Sequence, residues 1–233
     1  MLASIHALAT VRLAEVRSYH AMIVAMENDV RKEPLDPWPD EILIMRGLYY
    51  VYLYGAFEFS ILRAVQFSLQ IIASMNPQYK HFEPMFFSVA LDSKFRSLKD
   101  SGRDKKWSVR HNMITQQFSD HQCRIDDSIF DDDLQNIHPH TIKNIFDCFN
   151  IRKPPTPSAR ISGYVEEVKN KRNAVAHGRE SPKSDSGSSD EDYRSRRYSA
   201  VSDTIEYVLD CFTIYLESKE FLSEPFRSQY SYA

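Results

Sequence analysis

Apolar residues recur at helical spacing along most of the chain, in runs separated by prolines, glycines and charge. Leu2, Ile5, Leu8, Ala9, Leu13, Val16, Met22, Ile23 and Met26 predict a helix from residue 2 to about 32. Glu33-Pro34-Leu35-Asp36-Pro37-Trp38-Pro39 ends it, because prolines at this density cannot sit inside a helix. A second helix is expected to take Asp40 as its cap and to run to about Met75, stopping before Asn76-Pro77. Around Leu48-Tyr49-Tyr50-Val51-Tyr52-Leu53-Tyr54 it is apolar on nearly every side, which fits a helix at the centre of a core or at a dimer contact. No membrane span is expected there: 16 residues separate Arg46 from Arg63 and Glu58 interrupts them, whereas a span takes about 20 residues with few charges.

Further along, Phe82, Met85, Phe86, Phe87, Val89, Leu91, Phe95 and Leu98 place one or two helices within 80–118, with a break at Ser101-Gly102. Leu134, Ile137, Ile142, Ile145, Phe146 and Phe149 predict a short helix over 134–151. Lys153-Pro154-Pro155-Thr156-Pro157 is a rigid connector. Ser158 or Ser162 caps a helix that reaches about His177, with Gly178 just past its end. Residues 179–198 form a variable polar loop, a last helix runs from about 199 to 222, and 223–233 are a tail. No run reads as a sheet. The expectation is an all-α bundle with a long central helix and an inserted middle region, one domain over 1–222.

Composition sharpens this picture. The chain has 233 residues and 6 glycines, where average usage would give roughly 16. That argues against a turn-rich β fold and against a dinucleotide fold with its Gly-rich loop. Cys123, Cys148 and Cys211 are odd in number and widely spaced, so neither a disulfide framework nor a zinc knuckle is supported. The N-terminal segment has no basic region followed by a continuous apolar run, so a cytoplasmic protein is expected.

Charge is patterned beneath a net −3 from 29 basic and 32 acidic residues. Lys94 to Arg110 carries seven basic residues against two acidic ones, and Asp120 to Asp133 carries six Asp opposed by Arg124. The basic run could follow a nucleic-acid backbone, with Trp107 as a stacking face, or be an ordinary solvated face. His138-Pro139-His140 has no companion ligand at close spacing, and Asp131-Asp132-Asp133 lacks the glycine and closing Glu of a calcium loop; no metal or other cofactor is expected.

The sharpest local feature is Lys171-Arg172-Asn173-Ala174-Val175-Ala176-His177-Gly178. Ile161, Tyr164, Val165, Val168, Arg172 and Val175 share a helical face, so Arg172 turns toward the core, where a guanidinium needs an acid or an anionic ligand. Asn173 and His177 are i, i+4 neighbours. An ideal helix leaves Arg172 and His177 about 140° apart, so the two serve one site only if the helix ends or bends near Gly178, or if two subunits bring pairs together. Glu58 is the one acid between Glu41 and Glu83, in the most apolar helix. It should be paired or hold its proton unusually tightly, and it is the candidate to orient Arg172 or His177. The bland alternative is a structural Arg–Glu pair with a capping His.

These residues carry a resemblance. Arg172-Asn173-x3-His177-Gly178 matches the R-N-x3-H-G form of the Rx4–6H motif, and Tyr54-Gly55-Ala56-Phe57-Glu58 resembles the (Y/F)xxFE signature of the second helix in one branch. Together with the helix order, over about 1–220, the chain resembles the HEPN superfamily, in the stand-alone nuclease-like branch related to the RiboL-PSP type. The resemblance implies an all-α homodimer with both motifs lining one cleft. It also implies metal-independent endoribonuclease activity leaving 2′,3′-cyclic phosphate ends, in a toxin or defence setting with an antitoxin or inhibitory partner protein. Arg172 and His177 would be the catalytic pair, with Asn173 and Glu58 supporting. Lys171 and Arg179 beside the motif, and Lys105 and Lys106 in the basic run, would bind RNA. The alternative within the same superfamily is a non-catalytic dimer that acts as an RNA- or protein-binding adaptor.

Overall fold

The computed structural model describes residues 2–30, 37–183 and 190–232. The Pro-rich break lies partly outside them, as does the centre of the polar loop. Among the described residues the architecture is helical, with two isolated bridges, Gln78 to Gln122 and Phe82 to Leu222, and no strand.

Helix α1 spans Ala3–Val30 and buries Ile5, Ala9, Leu13, Val16, Ile23 and Glu27. Leu8 and Met22, expected on its apolar face, are exposed instead, because only one narrow stripe meets the neighbouring helices. Helix α2, Asp40–Ser74, is the axis of the fold. It packs on α1 along one side and on α7 (Ala159–Ala176) and α8 (Glu191–Glu217) along the others. This accounts for most of the apolarity of its centre, where Tyr49, Tyr50, Leu53, Tyr54 and Phe57 are each at most 1% exposed, but Leu48 and Tyr52 of the same stretch keep 40% and 37% exposure on a face the other helices leave open. By length and composition alone α2 could cross a bilayer; half of its most apolar stretch is buried by the other helices.

Asp40 is not the cap of α2. Pro39 occupies that position without a side-chain cap, and Asp40 begins the helix, where its carboxylate pairs with Lys183 Nζ at 2.6 Å. At the other end Asn76 turns at φ 49° before Pro77 and stops the helix.

The middle region is built from short pieces. Phe87–Ala90 (α3), Asp92–Asp100 (α4) and Lys106–Gln116 (α5) replace the one or two helices expected there, and α4 does end before Ser101-Gly102. The next helix, α6, starts at Pro139 and ends at Cys148, later than the hydrophobic pattern indicated. Proline at the first helical position and His138 as cap, its Nδ1 accepting from the Thr141 amide at 3.2 Å, fix that start; 131–136 are turns.

Ser158, not Ser162, caps α7 by accepting from the Ile161 amide. Helix α8 begins eight residues earlier than expected, at Glu191, because Asp190 caps it through the Tyr193 amide at 2.7 Å. Residues 191–198 are therefore helical rather than part of the loop. Arg194 is fully buried there and Arg197 nearly so. At the far end of α2, Phe86, Phe149, Phe212, Tyr215 and Phe221 pack edge to face and tilted.

Candidate active site on helices α2 and α7

The motif helix ends by a specific hydrogen-bond pattern. The Gly178 amide donates to the Val175 carbonyl at 3.1 Å and the Arg179 amide to the Ala174 carbonyl at 2.9 Å, with Gly178 at φ 65°. This Schellman termination requires a residue that tolerates the left-handed region, which is why glycine stands there. His177 is the C-cap, exposed, with non-helical backbone angles of −91° and 7°. The chain beyond folds back on α2. A Cβ on Gly47 would lie 2.1 Å from the Pro182 carbonyl oxygen, so the loop rests on bare backbone there.

Arg172 faces α2, as its place on the apolar stripe implied. Its guanidinium lies over the Tyr54 ring at 4.7 Å, its Nη1 donates to Asn173 Oδ1 at 2.8 Å, and its Nη2 stands 3.8 Å from Glu58 Oε2. Of the two partners considered for Glu58, the structure brings Arg172. The side chains of Arg172 and Glu58 keep 23% and 24% exposure, so an anion from solvent can reach them. A guanidinium has five N–H donors and this one is lightly committed.

Glu58 is the strained member. Its Oε1 is buried without a hydrogen-bond partner. Burial pushes its carboxyl above the ordinary range, while Arg172 and the Tyr54 hydroxyl pull the other way. Burial likewise raises the Tyr54 phenol, aided by the Glu58 charge. That hydroxyl donates to the Ile137 carbonyl at 3.1 Å.

Asn173 joins this group rather than the imidazole: its Nδ2 donates to Asn136 Oδ1 at 3.2 Å. Asn136 was not singled out in the sequence. It lies 37 positions from Asn173 in an acidic turn, and no local pattern announces the contact. Within the chain, no described hydrogen bond or ion pair links the His177 side chain to Arg172, consistent with the wide angle between them on one helix.

The other candidates are spread out. Lys171 turns its ammonium toward the Tyr50 and Tyr193 rings, 4.9 and 5.7 Å away, and Arg179 is exposed past the helix end. Lys105 and Lys106 sit where α5 begins. The α4–α5 pair is anchored beyond the C-terminal end of α2, where the Tyr79 amide donates to the His121 carbonyl and the Lys80 amide to the Ser119 carbonyl. No described ion pair ties these lysines to the Arg172 cluster. Trp107 is 74% exposed, with Arg110 over its ring. Among the described residues no group of three or more His, Cys, Asp or Glu has a metal-holding arrangement, and the three cysteines are free.

Comparison with curated proteins gives no match, and neither does comparison with solved structures. The family profile of RiboL-PSP-HEPN does match, over residues 24–218. That range takes in α2 with Glu58, the middle region and the whole Arg172–His177 segment. The chain belongs to the RiboL-PSP-HEPN family, an all-α HEPN-type domain.

Proposed function

We propose that this protein is a metal-independent endoribonuclease that cleaves RNA by attack of its own 2′-hydroxyl, leaving a 2′,3′-cyclic phosphate and a 5′-hydroxyl. The observation that carries the reading is the partly exposed Arg172 guanidinium, oriented by Asn173 and the Tyr54 ring and only loosely opposed by Glu58. Such a group can take a phosphodiester and stabilise the charge that builds on it in the transition state. His177, exposed at the end of the same helix, supplies the proton transfer: imidazole titrates near neutrality and can serve as base or acid. One histidine cannot flank both the attacking and the leaving oxygen, so a homodimer with two motifs at one cleft completes the site. Glu58 holds Arg172 and takes no proton from substrate. The setting is that of a toxin or defence effector in the cytoplasm, restrained by an antitoxin or other partner protein, because unrestrained RNA cleavage harms the cell that makes it.

The test is cleavage of end-labelled RNA in excess EDTA by wild type, His177→Ala and Arg172→Ala. The reading expects wild type alone to cut, with cyclic phosphate ends. Equal cutting by all three sinks the site. A second reading, a non-catalytic dimer that binds RNA or a protein partner, draws on the separation of His177 from Arg172 within the chain. It expects no cutting and RNA or partner binding that survives the loss of His177.

A further inference from the structure

The sequence pattern leaves residues 80–155 without a role, yet one part of that region reaches the site. Segment 126–137 lies along α2, running against it. Gln70 donates to Asp127, Gln66 Nε2 donates to Asp131 Oδ1 at 2.8 Å, and the Tyr54 hydroxyl donates to the Ile137 carbonyl at 3.1 Å. As the strap advances from 127 to 137 its partners recede along α2 from 70 to 54. Leu134 and Ile137, at 1% and 0% exposure, nail it down. The strap delivers Asn136, exposed on its own account, to Asn173.

We propose that Asn136 is a positioning residue for Arg172, acting through Asn173. Chemistry fixes the direction of the relay. An arginine only donates, so Asn173 must turn its oxygen to Arg172. Its amide nitrogen then points away, and only an acceptor can hold it; Asn136 Oδ1 is that acceptor. Without it, Asn173 is free to rotate about its terminal torsion and its oxygen no longer keeps the Nη1 side of the guanidinium in place. The Glu58 contact at 3.8 Å is too long to substitute for a hydrogen bond. A guanidinium set at the wrong angle still attracts phosphate, but it meets the transition state less well, so orientation is felt in kcat more than in KM. The strap thereby couples the middle region to the motif through a side chain outside it.

The proposal rests on the ribonuclease reading, and the experiment separates the two. Steady-state cleavage is measured for wild type, Asn136→Ala, Asn136→Asp, Asn173→Ala and the double alanine variant, with melting curves for each. Asn136→Ala should lower kcat by about three- to tenfold, the worth of one neutral hydrogen bond, with KM within about twofold and the melting point nearly unchanged. Asn136→Asp keeps the acceptor and should stay close to wild type. The double variant should be no worse than Asn173→Ala alone, because both act through one relay. Full activity in Asn136→Ala, equal loss in Asn136→Asp, or independent multiplication of the two alanine effects would each overturn the proposal. If the wild type cuts nothing, the ribonuclease reading falls instead. The relay is then read from the NMR signals of the Arg172 guanidinium: matching shifts in Asn136→Ala and Asn173→Ala uphold it, and an unshifted signal in Asn136→Ala overturns it.

Discussion

Arg172 Nη2 and Glu58 Oε2 face each other at 3.8 Å, near enough to attract and too far to hydrogen-bond, while the second oxygen of Glu58 is buried without a partner. The pair is thus only partly closed, and the open side is the one an anion would approach. Loose pairing leaves the guanidinium available and leaves the carboxylate poorly solvated.

That poor solvation predicts a pH dependence. Burial holds the Glu58 carboxyl above its ordinary range in the folded chain. A folded state that keeps a proton longer than the unfolded state is favoured in acid, so this contribution is complete below the ordinary carboxyl pKa and is lost as pH rises through the raised value. Glu58→Gln removes the ionisation. In urea unfolding from acid to neutral pH, the variant should gain on wild type as pH rises; parallel curves would mean that Glu58 is not perturbed.

Tyr54 has two separable duties. Its ring lies under Arg172 and its hydroxyl binds the strap at the Ile137 carbonyl. Tyr54→Phe should cost about 1–3 kcal/mol of stability, since a buried carbonyl loses its donor, yet keep most of the cleavage activity. Tyr54→Leu also loses the ring face and should drop activity a further fivefold or so, on the order of one exposed cation–π contact. Equal activity of the two variants would show that the ring does not orient the guanidinium.

Two glycines of α2 should respond oppositely to alanine. At Gly47 a Cβ would lie 2.1 Å from the Pro182 carbonyl oxygen, so the loop after the motif must shift; the expected loss is about 1–3 kcal/mol. At Gly55 nothing lies within 4 Å of a built Cβ, and the gain in helix propensity should add up to about 1 kcal/mol. Chemical denaturation of the two single variants, at low protein concentration, reads both signs. A neutral Gly47→Ala would mean that the loop does not rest on α2.

The largest predicted loss lies away from the site. Glu27 bridges Arg46 at 2.6 Å and Arg194 at 2.8 Å, and Arg194 is fully buried. Glu27→Gln leaves two guanidinium groups without their shared acid and should cost about 3–5 kcal/mol in urea unfolding. A loss under about 1 kcal/mol would show that the two arginines find other anions.

The legible parts of the sequence were those governed by local rules. Gly178 announces the end of α7 because only a glycine relieves that turn cheaply. Glu58 stands out because one acid in an apolar helix must be accounted for, and it does face Arg172. Long-range pairings were hidden. Glu27 reads as a solvated residue near a helix end, yet it is buried by Arg46 and by Arg194, 167 positions away. The early start of α8 was missed for a related reason: Arg194 and Arg197 look like surface charge until their partners Glu27 and Glu167 are in place. Asn136 needed the path of the strap, which depends on the glutamine spacing of α2 and on two buried aliphatic anchors.

The last residues of the chain return to the beginning of the middle region. The Tyr230 hydroxyl lies 2.7 Å from His81 Nδ1 and accepts from the Gln78 amide, Phe226 stacks on the His81 ring at 3.9 Å, and Ser223 donates its amide to the His81 carbonyl. The match to the family profile ends at residue 218, before any of these. The stretch that matches the profile and the folding unit therefore do not share a border. A fragment trimmed to the profile would expose the underside of His81 and the aromatic cluster around Phe86, and an affinity handle placed after residue 218 would be grafted onto an open wound in the core.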